Sequence, residues 1–180
     1  ISLPPVPKSP RVATPRPRDL EFFGNTASEQ AFTETCEKMV SLGWTLTEVD
    51  FRPFLEVARL LYEGPWVAER YAAIRAFIEG KPQALHRVTR EIIGKGDQIL
   101  AVDAFESFYQ LQARRRELEP FWESFDMLVT PTVGTTYSIA EVEADPIQLN
   151  SNLGYYTNFV NLLDMAAVAV PASVVDNGNP

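Results

Sequence analysis

The sequence predicts an α/β fold, and three observations predict it. Runs rich in β-branched and aromatic residues, RVATP at 11–15, WTLTEVD at 44–50 and DMLVTP at 126–131, read as strands. Apolar residues at helical spacing fill the stretches between them. Strands that alternate with helices imply a sheet with at least some parallel pairs, here a mixed β-sheet covered by α-helices with a mostly helical middle segment.

The elements follow in order. Residues 1–10 hold four prolines and no periodicity, which predicts an extended linker, with one domain or a large piece of one over 11–180. The strand at 11–15 is ended by Pro15. A helix over Thr26–Leu42 is expected from Phe32, Cys36, Met39 and Val40 on one face, with Thr26 and Glu29 as a capping box and Gly43 as a left-handed stop. The strand at 44–50 leads into a helix over Pro53–Tyr62, with Phe54, Val57, Ala58 and Leu61 inward. After Gly64-Pro65, a second stripe of Val67, Tyr71, Ile74 and Ile78 predicts another helix. His86–Ile93 gives a third helical stretch, closed by Gly94 and Gly96. The longest helix is expected over Asp103–Phe125, with Phe105, Phe108, Leu111, Leu118, Trp122 and Phe125 inward. A short buried strand stopped by Pro131, a helix over Tyr156–Leu163 and a strand over Ala167–Val175 complete the prediction. The chain begins at Ile1 and stops at DNGNP, a turn signal straight after a strand-like run, so a piece of a longer protein is expected.

Composition narrows the function. A net charge of −8 offers no basic stripe to displace counterions, which argues against a nucleic-acid partner. The longest apolar run, Met165–Val170, is too short to span a bilayer. One cysteine, Cys36, excludes an internal disulfide and fits a reducing compartment, so a cytoplasmic location is expected. There is no GxSxG, HExxH, Walker loop or GxGxxG. His86 has no identifiable partner, which favours a structural or exposed role. Cys36 lies on an apolar helix face, which favours inert packing. The run RRRELE at 114–119 reads as a solvated face with internal charge pairs.

Two stretches rise above this background. In LLYEGPWVAERY, residues 60–71, a Gly-Pro pair ends one helix and starts another. On a continuous helix, residues eight apart point about 80° away from each other. A bend lifts that restriction, so Tyr62 and Arg70 can face one small carboxylate, a guanidinium gripping it through two parallel hydrogen bonds and a phenol adding a neutral donor. The competing reading makes Arg70 a surface partner of Glu63 or Glu69 and packs Tyr62 in the core. In the second stretch, 150–173, Asn158 and Asn161 are polar in an apolar context. They either tie the loop or line a pocket mouth.

FDMLVTPT at 125–132, with YYTNFVNLLDMAAVAVPAS at 155–173, resembles the C-terminal half of the amidase-signature hydrolases. RVATPRPRDLEFFG, FLEVARLLYEGPWVAERYAAI and IAEVEADPIQLNSNLGYYTNFVNLLD are similar to the allophanate hydrolase branch of that family, which deaminates allophanate, N-carboxyurea, in urea breakdown. The resemblance covers the chain from Arg11 onward. It implies that Tyr62 and Arg70 bind the substrate, with Arg70 on its carboxylate. It also implies a Ser, cis-Ser and Lys triad in the N-terminal half, on a Gly/Ser-rich core that this sequence lacks; Lys38, Lys81, Lys95, Ser124 and Ser151 are without that context. The implied partners are therefore allophanate and the N-terminal half of the amidase domain. No catalytic residue, metal or cofactor is expected in this chain, and alone it is expected to be inactive. The apolar helices are candidates for a homodimer face. Two other readings fit the same residues: another amidase-signature enzyme such as an amidotransferase subunit, or a non-catalytic binding module derived from the fold.

Overall fold

The structure, a computed structural model, describes residues 7–172. Most of the expected linker and the end of the expected strand at 167–175 lie partly outside them. β1 (Arg11–Pro15) is the middle strand of a sheet of order β2-β1-β3, with β2 at Thr45–Val49 and β3 at Met127–Leu128. Both pairings are parallel, Val12 lying opposite Leu46 on one side and Met127 on the other. A central parallel strand is covered on both faces, and Val12 and Ala13 are fully buried accordingly. Arg11 fastens the edge: its guanidinium donates to the Asp126 carboxylate at 2.9 Å and its backbone N–H to the same side chain at 2.8 Å. These bonds hold the Asp126 carboxyl below the usual carboxylate range.

α1 (Thr26–Ser41) carries the chain from β1 back to β2. Its cap is Asn25, whose Oδ1 accepts the Ser28 N–H at 3.0 Å. The expected Thr26 and Glu29 capping box does not form, because Thr26 already sits in the first helical turn. Gly43 takes the left-handed φ of +85° that stops the helix. Met39 is buried, Phe32 and Cys36 are half-buried, and Val40, 100° further round, is exposed.

The helical middle comprises α2 (Arg52–Glu63), α3 (Trp66–Gly80), α4 (Arg87–Gly94) and α5 (Ala101–Ser124). Single turns of 3-10 helix lie at Pro82–Ala84 and Lys95–Gln98. Three short helices follow, α6 (Ile139–Ala144), α7 (Gln148–Leu153) and α8 (Asn158–Leu162). The main core gathers Phe51, Phe54, Val57, Ala58 and Leu61 from the β2 exit and α2 against Leu111 and Leu118 of α5, and against Tyr156, Phe159 and Leu162. Phe54 is its hub, with ring centroids 5.5 Å from Phe51, 5.2 Å from Phe121 and 5.1 Å from Phe159. Each such pair adds about 0.5–1.5 kcal/mol beyond area burial.

Two expectations are corrected. On α5 the buried residues are Leu111 and Leu118, while Phe105, Phe108 and Trp122 are exposed. Phe105 lies about 120° round the helix from Leu111, on a different stripe. Residues 167–172 form no strand, and Val168 is 85% exposed. A strand is completed by a hydrogen-bonded neighbour, and no ladder reaches this run among the described residues.

Tyr156 couples the core to the loop that leaves β1. It is 1% exposed, and its hydroxyl accepts the Glu21 N–H at 2.7 Å while donating to the Glu21 carbonyl at 2.9 Å. Burial pushes this phenol well above its ordinary range, so it stays a donor. Beside it, the Tyr155 hydroxyl donates to the Asp19 carbonyl at 3.2 Å, and the Asp19 carboxylate accepts the Phe51 N–H at 3.2 Å. Tyr156→Phe strands both Glu21 groups and is expected to cost about 1–3 kcal/mol. Thermal unfolding followed by circular dichroism should show Tm lowered by about 2–8 °C; an unchanged Tm contradicts this role.

Candidate functional site

Gly64-Pro65 breaks the helix where the sequence predicts. α2 ends at Glu63 with the Gly64 N–H on the Leu60 carbonyl at 2.9 Å, and Pro65, φ −73°, opens α3. The Gly64 backbone is extended, so its glycine is required by space, not by φ. A Cβ there would lie 2.5 Å from the Leu60 carbonyl oxygen and 3.0 Å from the Trp66 ring. The Trp66 ring in turn packs on Phe108 of α5, centroids 5.6 Å apart. The start of α3 is thus pinned from two sides.

Tyr62 stands in the last turn of α2, on the flank beside the core face, and is 41% exposed. Arg70 stands in the second turn of α3 and is half-buried. Across the bend their side chains meet: Arg70 Cζ lies 5.2 Å from the centroid of the Tyr62 ring. That distance is within the range of a cation–π contact, worth about 0.5–1 kcal/mol at an accessible site. The ion pairs among the described residues engage Arg11, Arg16, Arg18, Arg52, Arg75 and Arg114, and Arg70 is in none of them. Neither Glu63 nor Glu69 pairs with it, and Tyr62 is not a core residue. The competing reading of this stretch therefore does not describe the geometry.

The other singled-out residues behave differently. His86 is exposed and precedes α4, inside neither helix nor strand. Burial pushes the Cys36 thiol up, away from reactive thiolate character. The Asn158 amide packs against Gly154, where a Cβ would meet its Nδ2 at 2.5 Å, and Asn161 is exposed. Arg114 and Arg115 are more than a solvated face. Arg114 joins Glu56 of α2, and Arg115 donates to the Leu162 carbonyl at 2.6 Å, closing the end of α8. The Ser151 hydroxyl is spent on the Ile147 carbonyl at 2.8 Å. Among the described residues no group of three His, Cys, Asp or Glu side chains is placed to hold a metal ion, and no helix is long and apolar enough to cross a membrane. A concavity of about 540 Å³ runs along the α3 residues Ala72 to Glu79, and neither Tyr62 nor Arg70 lines it.

The sequence reading missed the Tyr155 and Tyr156 clamp on Asp19 and Glu21, although both tyrosines are adjacent in GYYTN. Buried phenols need partners, and that signal was available. It also missed α6, announced by the Ser138 and Glu141 capping box.

Gly64→Ala tests the bend. The added methyl cannot fit between a backbone oxygen and the indole, and overpacking of this kind costs about 1–3 kcal/mol. Urea unfolding should show a lower midpoint with an unchanged slope; an unchanged midpoint means that the junction adapts freely.

Comparison with known proteins fits this architecture. The family described as Amidase matches residues 3–180. The urea amidolyase of Saccharomyces cerevisiae is 39% identical over 166 residues, which cover 91% of this chain and 9% of that protein. The urea amidolyase of Lachancea kluyveri is 35% identical over 98% of this chain and 10% of its own length. Among solved structures, Kluyveromyces lactis allophanate hydrolase superposes with a TM-score of 0.92 at 36% identity, over 97% of this chain and 29% of that one. The Kluyveromyces lactis urea amidolyase structure gives the same TM-score over 97% of this chain and 11% of its own. The chain thus spans about a tenth of the length of the curated relatives it matches. With the family match running over residues 3–180 and one solved architecture superposing on 97% of the chain, the chain belongs to the amidase family.

Proposed function

We propose that this chain selects the substrate of an amidase that hydrolyses allophanate and releases ammonia, and that the Ser, cis-Ser and Lys triad breaking the bond lies outside the chain. The observation that carries this reading is the Arg70 guanidinium, 5.2 Å from the centre of the Tyr62 ring and without a carboxylate of its own among the described residues. A guanidinium carbon over a ring, with the cation in no ion pair among the described residues, leaves N–H donors for a carboxylate. Allophanate carries a carboxylate at one end and an amide at the other, so gripping the first fixes the second against a nucleophile. Urea, which lacks the carboxylate, would leave the arginine partly desolvated and unpaired, and is disfavoured for that reason. The likeness to urea amidolyases and to an allophanate hydrolase supports the same assignment.

In the chemistry proposed, Lys takes a proton from the bridging Ser, which activates the nucleophilic Ser; attack on the amide breaks its C–N bond, the relayed proton leaves with ammonia, and water resolves the acyl-enzyme that remains. The described residues contribute binding and orientation. The remaining half of the amidase domain is then the obligatory partner and the cytoplasm the expected setting.

Arg70→Gln in the full protein is the test, read as ammonia release from allophanate. Loss of a charge-assisted hydrogen bond should raise KM about tenfold to a hundredfold. Arg70→Lys, which keeps charge without the fork, should fall between. A KM unchanged in Arg70→Gln contradicts the assignment.

A further inference from the structure

The single turn at Lys95–Gln98 joins α4 to α5 and lies directly against the first two turns of α3. Gly96 is the point of contact, and it is buried. A Cβ on it would stand 2.6 Å from the Val67 carbonyl oxygen, 2.8 Å from the Tyr71 Cβ and 3.0 Å from the Ala68 Cα. Its φ lies outside the left-handed region, so the glycine is required by space alone. The atoms it meets are backbone or bonded to backbone, and no change of rotamer relieves the crowding. A carbon in contact with a carbonyl oxygen sits about 3.3 Å away, so a Cβ here would part the turn from α3 by about 0.7 Å. Further along the same stretch, Phe108 of α5 packs on Trp66 with ring centroids 5.6 Å apart. At 3.6 residues per turn, Arg70 lies about 40° round α3 from Trp66 and about 60° from Val67, between the two contacts. A roll of α3 is thus resisted on both sides of Arg70.

We propose that Gly96 and Phe108 brace α3 from two sides and are positioning residues for Arg70. Neither touches the substrate; together they fix where the guanidinium meets the carboxylate. The role rests on the carboxylate-binding reading of Arg70. Two parallel hydrogen bonds from one planar fork must form at once, so the grip is sensitive to small displacements of α3. A misplacement of about 1 Å, caused far from the reacting atoms, can cost about a hundredfold in rate.

The test uses the full protein and allophanate turnover. Gly96→Ala should raise KM about fivefold to tenfold and leave kcat within about threefold; Phe108→Ala should raise KM about threefold. Gly94→Ala, two residues away where an added Cβ meets nothing within 4 Å, should leave both constants unchanged. In an Arg70→Gln background, Gly96→Ala should cost less than about twofold in kcat/KM, because no fork remains to be misplaced. A residue that only stabilised the fold would lower Tm and leave KM alone. If Gly96→Ala does not fold, Phe108→Ala decides in its place, since Phe108 is 49% exposed and its loss spares the core. An equal loss with and without Arg70 overturns the proposal. A raised KM in Arg70→Gln beside an unchanged KM in Gly96→Ala removes the brace alone, whereas an unchanged KM in Arg70→Gln removes the carboxylate reading and the brace with it.

Discussion

Gly64 has no side chain because the Leu60 carbonyl oxygen and the Trp66 ring already occupy the space one would fill. Pro65 follows with no N–H to continue the ladder of α2. Together they turn the chain at one defined point, and the turn is held by Trp66 against Phe108. Without it, Tyr62 and Arg70 would point about 80° apart and lie about 12 Å from each other along one cylinder. With it, a residue in the last turn of α2 faces a residue in the second turn of α3, and the Arg70 guanidinium carbon lies 5.2 Å from the centre of the Tyr62 ring.

Such a contact is weak by itself, so its geometry depends on what lies beneath α2. Phe54, Val57, Ala58 and Leu61 bury one face of that helix against α5 and α8. The aromatic hub at Phe54 and the Tyr156 hydroxyl on Glu21 tie this packing to the carboxyl ends of β1 and β2. In open parallel sheets that end is where ligands gather. A rigid scaffold thus positions a half-exposed pair at the junction of two helices.

Much of this architecture was legible in the sequence because its signals are local. Gly-Pro marks a helix break, Gly43 a helix stop, and Val/Thr-rich runs the three strands; the first two strands fall within a residue or two of their expected places, and the third shrinks to Met127–Leu128 of the run 126–131. What was not legible depends on neighbours. Periodicity cannot choose between the Phe105 and Leu111 stripes of α5, since both are apolar and only tertiary contacts decide which is covered. The run after residue 166 has strand composition, yet strand formation needs a partner. Asn25 and Thr26 are both good caps, and the bond to Ser28 selects the first. For the site, the break between Tyr62 and Arg70 allows them to meet but leaves the surface-pair reading open, and the family resemblance singles them out. The contact between the two side chains was not legible, because it depends on the angle between α2 and α3.

The central claim is that Tyr62 and Arg70 act as one unit across the bend. A double-mutant cycle of Tyr62→Leu and Arg70→Gln, measured on kcat/KM for allophanate in the full protein, tests it most directly. The account predicts a coupling of about 1 kcal/mol or more between the two positions. Losses that add to within about 0.3–0.5 kcal/mol would contradict it.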